Sequence, residues 1–266
     1  MTIAMMEPSS AHGKRIQMFG VDIDVVNMEE AVSRIVEWAT EEELKCRYVV
    51  TPNVDHAVML QENDELRKVY ASASLILADG FPIIVASKIL KKPLPERVAG
   101  SELVPKVFAA ATPSAPLSIY LLGAAEGVAD RAAEIIHATW PNVAVAGTYS
   151  PPMGFEKDEE ENERIIEKIS EVQPDILVIG LGAPKQELWV HRHFERLPAK
   201  VALCVGATID FLAGEKPQAP VWMRRSGLEW VHRMLSEPKR LVKRYARDAW
   251  VFPQIVWKEY RKPSSS

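Results

Sequence analysis

Short apolar runs, each followed by a segment of helical periodicity, constrain the fold of this chain more than any other feature. They are Tyr48–Thr51, Leu75–Ala78, Ile119–Leu122, Val143–Ala146, Ile176–Ile179 and Val201–Val205, and most end in Gly or a small polar residue. A strand buried on both faces loses the apolar/polar alternation of a half-exposed sheet and reads as a continuous apolar run. Interleaved with amphipathic helices, such runs predict an α/β fold, a Rossmann-like and mostly parallel sheet with helices on both faces. Ile16–Val26 reads as a further strand, and Met28–Thr40 as a helix with Asn27 as its N-cap. Glu156–Glu171 reads as a charged helix whose Ile165, Ile166 and Ile169 form the buried stripe. With 266 residues, a chain of this class buries roughly 75% of its unfolded surface.

Charge divides the chain. Val221–Lys262 carries eleven Lys/Arg against four Asp/Glu, a balance of +7, so a total of −4 leaves −11 for the rest. The same stretch holds four of the seven tryptophans, Trp222, Trp230, Trp250 and Trp257. Residues 1–14 thus read as a disordered leader, 15–219 as the Rossmann-like core and 220–262 as a basic, Trp-rich helical C-terminal appendage. Basic residues interleaved with aromatic ones suit a surface that meets anionic headgroups while burying apolar side chains. A C-terminal helix packed on the domain with a solvated basic face has the same composition. Nucleic acid is not an expected partner, because the acidic remainder repels phosphate.

No apolar run approaches the ~20 residues a membrane-spanning helix requires. The first residues, MTIAMMEPSSAHGKR, lack the apolar region of a secretory signal. Cys46 and Cys204 are too few for a disulfide scaffold and lack metal-site spacing. The expectation is a cytoplasmic globular protein.

In open α/β sheets, ligands bind beyond the carboxyl ends of the strands, which directs attention to the residues following each apolar run. Gly180-Leu181-Gly182 follows a strand and permits close approach of a phosphate to bare backbone. A dinucleotide fingerprint needs a third glycine at 185, where Lys stands, and no P-loop sequence exists. Gly123 and Gly127 open a helix after a strand, as turn glycines or as phosphate contacts. Asp22-Ile23-Asp24 has the DxD form of a metal-binding pattern, but alternating acids on an edge strand are usually solvated. His191 and His193 lie two apart, the wrong spacing for one helical face. No metal and no cofactor are expected.

Asp79 stands at the mouth of a buried strand, where ionisation is costly without a partner, although Asp before Gly is also a common turn. Arg97 has two readings, contact with an anionic group or a surface ion pair. Asn53 and Gln186 supply neutral hydrogen-bonding groups that suit sugar hydroxyls and amides, and both residue types also serve as turns and caps.

Taken together, TPN at 51–53, ADG at 78–80, RVAGSEL at 97–103, GLGAPKQE at 180–187 and GATIDFLAG at 206–214 resemble the WecG/TagA/CpsF glycosyltransferases, glycosyltransferase family 26. The stretch Gly227-Leu228-Glu229-Trp230, with Arg233 and Glu237-Pro238 behind it, matches as well, so the likeness runs from about Phe19 to about Pro253. This resemblance implies a metal-independent, inverting transfer of a sugar from a UDP donor to a polyprenyl-diphosphate-linked sugar. Such enzymes build bacterial surface polysaccharides or wall polymers as peripheral proteins on the inner face of the cell membrane. The donor sugar in the family is N-acetylmannosamine, its uronic acid, or glucose, and no residue here decides among them. An Arg97 close to a donor carboxylate would favour the uronic acid.

By the same resemblance, Asp79 matches the general base, with Arg97 beside it in the catalytic set. Thr51, Asn53, Arg97 and Gln186 match residues lining the sugar pocket, and Asp210 a nucleotide-contacting position. Arg233 and Arg240 match appendage arginines that meet diphosphate. The third such position falls on Lys243, which keeps charge but loses bidentate geometry, or on Arg244 beside it. The glycine loops at Gly123 and Gly182 are candidates for stabilising the departing diphosphate through backbone N–H groups. Competing expectations are a transferase acting on a soluble acceptor, and a UDP-sugar-binding or scaffold subunit. An exposed aromatic tail also favours self-association in water, so a homo-oligomer is among the expected states.

Overall fold

A computed structural model of the chain describes residues 13–262; residues 1–12, most of the expected leader, lie outside the described residues. The segment expected as one strand, Ile16–Val26, is a hairpin. Its strands β1 (Arg15–Met18) and β2 (Val21–Asp24) pair antiparallel with Arg15 opposite Asp24. The chain reverses at Phe19 and Gly20, whose φ values of 58° and 87° are both left-handed, as a two-residue hairpin turn that follows the strand twist requires. Helix α1 (Met28–Thr40) follows, and Asn27 caps it in a reciprocal capping box with Glu30.

The main sheet begins with β3 (Arg47–Val50), followed by α2 (Val54–Glu62), α3 (Asp64–Ser72) and the two-residue β4 (Leu75–Ile76). After α4 (Phe81–Ile89) and α5 (Gly100–Ala109) come β5 (Leu117–Gly123), α6 (Val128–Thr139) and β6 (Val143–Tyr149). Then α7 (Glu159–Val172), β7 (Ile176–Gly180), α8 (Lys185–His193), β8 (Val201–Cys204) and α9 (Thr208–Leu212) complete the core. The charged helix expected from Glu156 starts three residues later, because Asp158 caps α7 and a single 3₁₀ turn occupies Phe155–Lys157. The appendage comprises α10 (Val221–Arg225), α11 (Glu229–Ser236) and α12 (Pro238–Tyr260).

Six strands pair in parallel in the order β4-β3-β8-β7-β5-β6. Side chains of a strand alternate between faces, and here they feed two apolar clusters. Tyr48, Val50, Leu177 and Ile179 join the cluster covered by α2, α3, α4, α7 and α8. Val49, Ile176 and Val178 join the one covered by α1, α5, α6 and α9. This is the Rossmann-like arrangement the apolar runs predict. The appendage enters the first cluster: Phe252 and Ile255 of α12 are buried in it, and the Phe252 ring lies 5.4 Å from that of Phe19. The Phe19 N–H donates to Glu259 at 2.8 Å, so the hairpin turn and the end of α12 hold one another.

The acids of the DxD pattern part company. Asp22 is exposed, as expected of an edge strand. Asp24 is buried, 3.1 Å from Arg15 and 3.7 Å from Arg34, and accepts the Ile76 N–H at 2.8 Å. Its oxygens are spent fastening the hairpin to β4, which corrects the expectation of a solvated pair.

After β5 the chain turns outward to β6 over one face, and after β7 it turns the other way to β8 over the opposite face. Adjacent strands that diverge in this way leave a crevice at their carboxyl ends. Gly123 and Gly180 pair across it, and a Cβ on Gly123 would come within 2.6 Å of the Gly180 carbonyl. Only glycine allows that backbone contact.

Candidate active site

The loops after β3 and β4 run side by side. The Leu77 N–H donates to the Val50 carbonyl at 2.9 Å, and the Asp79 N–H to that of Pro52 at 2.8 Å. Asn53 then caps α2 by accepting from the Asp55 and His56 N–H groups. Gly80, at φ 120°, turns the other loop into α4. Asn53 and Asp79 are thus neighbours on one wall of a cavity of about 290 Å³. Arg97 and Phe81 continue that wall, and the appendage supplies the opposite one through Glu229, Trp230, Arg233, Arg244, Tyr245 and Phe252.

Two carboxyls that line the cavity are raised, Asp248 by burial and the charge of Asp55, and Asp79 more strongly. Burial, reinforced by Glu229, pushes the Asp79 carboxyl from the usual 3.8 up to about 7, while Arg97, Arg233 and His56 pull the other way. No side chain among the described residues hydrogen-bonds it. A carboxyl poised near neutrality at a cavity wall suits a group that must take up a proton. Arg97 lines the cavity and forms ion pairs there: its guanidinium bridges Glu229 at 2.6 Å and Glu102 at 2.9 Å. Glu102 meets Arg224 of α10 at 2.7 Å, so an alternating chain of charge ties the appendage to the core beside the cavity. A second clamp joins Asp55 of α2 to Arg244 at 3.4 Å and Arg247 at 3.0 Å.

The remaining candidates divide by position. Arg233 and Arg244 line the cavity, whereas Lys243 is exposed and outside its lining. The side chain of Arg240 lies outside the described residues. Thr51 is buried and donates to the Cys204 carbonyl at 3.1 Å. Gln186 is likewise buried, its amide donating to Glu187 at 2.8 Å and accepting from the Gly206 N–H at 3.1 Å. Neither lines the cavity; both brace the loops that shape it. Gly123 and Gly182 lie at the crevice between β5 and β7, the latter at φ 79° with open space where a Cβ would stand. Asp210, in the single short turn of α9, faces Lys216 at 3.5 Å. Glu229, Trp230 and Tyr245 escaped the sequence reading as site residues. Only Glu229 and Trp230 carried a signal, as part of the Gly227–Trp230 stretch.

The profile of the Glycosyl transferase WecG/TagA/CpsF family matches residues 16–266. The chain belongs to this family. As a glycosyltransferase it has similar counterparts in Staphylococcus aureus strains MRSA252 and MW2, each 29% identical over 227 residues, 85% of this chain and 87% of the relative. Both are named N-acetylglucosaminyldiphosphoundecaprenol N-acetyl-beta-D-mannosaminyltransferase. Among the described residues of this glycosyltransferase, no helix is long and apolar enough to cross a membrane. Large apolar side chains are exposed on two parts of it. Trp222, Trp250 and Trp257 stand out from the appendage, and Phe81, Val85 and Ile89 form a stripe along α4. Phe81 joins the two parts, lying against Gly227 at the cavity mouth.

Proposed function

We propose that this glycosyltransferase moves N-acetylmannosamine from a UDP donor to an N-acetylglucosamine carried on polyprenyl diphosphate, inverting the anomeric centre, in the synthesis of a bacterial wall or surface polymer. The observation that carries the reading is the cavity that brings Asp79, Arg97 and Asn53 of the core against Arg233 and Arg244 of the appendage. The names of the relatives supply the sugar and the lipid-linked acceptor. Arg97 supports a neutral donor sugar, because Glu102 and Glu229 already meet its charge.

In this mechanism the acceptor hydroxyl attacks the anomeric carbon from the side opposite UDP and gives its proton to Asp79, a step worth typically ~10²–10⁴ in rate. The bond from the anomeric carbon to the diphosphate oxygen breaks, and its electron pair leaves with UDP. Backbone N–H groups around Gly123, in the loop that leads into α6, and Gly182, in the loop that leads into α8, are suited to the donor diphosphate. Arg233 and Arg244 are suited to the diphosphate of the acceptor. The exposed tryptophans, the basic appendage and the apolar stripe of α4 fit a protein that rests on the inner face of an anionic membrane, where the polyprenyl chain is anchored.

The test is UDP release from UDP-N-acetylmannosamine, its uronic acid and UDP-glucose, with and without polyprenyl-diphosphate-N-acetylglucosamine in liposomes. Release that needs the first donor and the lipid acceptor, giving a β-linked product, is the expected result. Acceptor-independent release, or none from any donor, would overturn the reading.

A further inference from the structure

A buried pair of ionisable side chains lies directly behind the cavity wall. The side-chain oxygen of Asn53 accepts from the Asp55 and His56 N–H groups at 3.0 and 3.4 Å, and His56 Nδ1 lies 2.9 Å from it. With Oδ1 committed inward, the Asn53 Nδ2 is left without a hydrogen-bond partner among the described residues, at the wall of the cavity. On the other side of the imidazole, Nε2 faces Glu187 Oε1 at 3.3 Å, and Gln186 donates to the same oxygen at 2.8 Å. His56 is 6% exposed and Glu187 only 1%.

Capping α2 uses the Asn53 side chain, two backbone N–H groups and His56 Nδ1, which accepts the Asn53 N–H in a reciprocal capping box; it does not require a buried Glu187. Taking a carboxylate out of water costs several kcal/mol, and well-packed apolar residues are often the cheaper solution. The cost here is not fully offset, because Glu187 Oε2 and the buried Tyr70 hydroxyl both lack hydrogen-bond partners among the described residues. What the carboxylate secures is the imidazole. Its hydrogen bond and charge, with help from Asp55 and Asp79, hold His56 above its ordinary 6.5 in spite of burial. Nε2–H donates to Glu187, while Nδ1 faces two groups of Asn53: in the neutral ring it accepts the backbone N–H at 3.3 Å, and in the protonated ring it donates to Oδ1.

We propose that His56 and Glu187 are positioning residues for the transfer reaction: Glu187 holds the imidazole, the imidazole fixes Asn53 with Nδ2 toward the cavity, and protonation of the ring places a positive charge near Asp79. This inference rests on Asp79 acting as the general base. The groups facing His56 are Glu187, Asp55, Asp79 and Tyr70. Those facing Asp79 are Glu229, Arg97, Arg233 and His56.

Glu187→Gln and His56→Gln test the pair in the full chain. Each lowers kcat roughly 10- to 100-fold, the penalty of a misplaced contact group. Each also moves the acid limb of kcat/KM to higher pH, because Asp79 loses a cationic neighbour. Thermal midpoints are measured for both variants, so that turnover is compared at temperatures where each remains folded. The double variant is no slower than the worse single one, since both act through one contact. Nitrogen-15 spectra show His56 titrating at lower pH in Glu187→Gln than in the wild-type chain, a readout independent of turnover. A wild-type rate and pH profile in both variants overturns the proposal, as does a rate loss that only follows loss of thermal stability. Asp79→Asn in the same assay separates the two levels. If it is inactive while the His56 and Glu187 variants turn over normally, the pair alone is refuted; if it turns over normally, the general-base reading falls.

Discussion

Replacing Asp79 with Asn separates what the site costs from what it does. The Asp79 carboxyl is raised from 3.8 to about 7 in the folded chain, so over that interval the folded state keeps a proton that the unfolded state has already released. The stability this provides is complete below pH 3.8 and is lost as pH rises through 7. Between pH 5 and pH 8 the wild type gives up at most ~2.7 kcal/mol by this route, roughly two decades of proton affinity at about 1.36 kcal/mol each. Water reaches the carboxyl through the cavity, and screening brings the figure to about 1–2 kcal/mol. In a chain of this size that corresponds to roughly 2–8 °C in melting temperature. Asp79→Asn has no such proton to lose, so its advantage over the wild type widens by that amount from pH 5 to pH 8. Titrating groups away from Asp79 cancel in the comparison; His56, which Asp79 helps to hold protonated, does not. Turnover by the variant falls by about 10²–10⁴ with UDP affinity held. Calorimetric melts at the two pH values and UDP release with lipid acceptor measure both effects. An equal gap at both pH values, or wild-type turnover, would refute the reasoning.

Arg97→Lys keeps the charge but cannot bridge Glu102 and Glu229 with one planar fork. It lowers kcat/KM roughly 10- to 100-fold, and a wild-type value in the UDP-release assay would show that the geometry is not used. Asp55→Ala strips Arg244 of its carboxylate, leaves Arg247 with Asp248 alone, and loosens the appendage by about 1–3 kcal/mol. Limited proteolysis within 220–262 then accelerates; an unchanged cleavage rate overturns the assignment of this clamp. Trp222→Ala with Trp250→Ala removes side chains that are 62% and 75% exposed. Sedimentation with anionic vesicles falls while the melt is unaltered, and undiminished sedimentation removes these tryptophans from the bilayer surface.

Much of the sheet was legible because buried strands announce themselves as apolar runs and stop at residues the helices cannot use. Leu75-Ile76-Leu77-Ala78 before Asp79 is such a case, and it delivered the central carboxylate of the cavity. Ile16–Val26 misled because the alternation of apolar and polar residues looks the same on either side of a tight turn, with only Gly20 to mark it. Burial was not readable from residue type. Thr51, Gln186 and Asp24 are polar residues that the fold encloses and spends on its own bracing. Pairings across long separations were invisible for a different reason. His56 meets Glu187 131 positions away, and Arg97 meets Glu229 across 132. Each partner sits beside a residue the sequence did single out, but only the closure of the sheet and the docking of α11 and α12 bring them into contact.

The strand order carries a consequence for how the protein is made. Of the six parallel strands, β8 is the last to be synthesised, yet it lies inside the sheet, bonded to β3 on one side and β7 on the other. While a ribosome has not yet released Val201–Cys204, β3–β4 and β7–β5–β6 remain two half-sheets, each with an unpaired inner edge. Open edges of that kind are templates for wrong pairing. A nascent chain arrested before residue 201 is therefore expected to be readily digested by protease, and one arrested far enough beyond 204 to free β8 from the exit tunnel to resist. Birth of this enzyme as a folded body hinges on the arrival of a four-residue keystone, with helices α10–α12 emerging directly behind it.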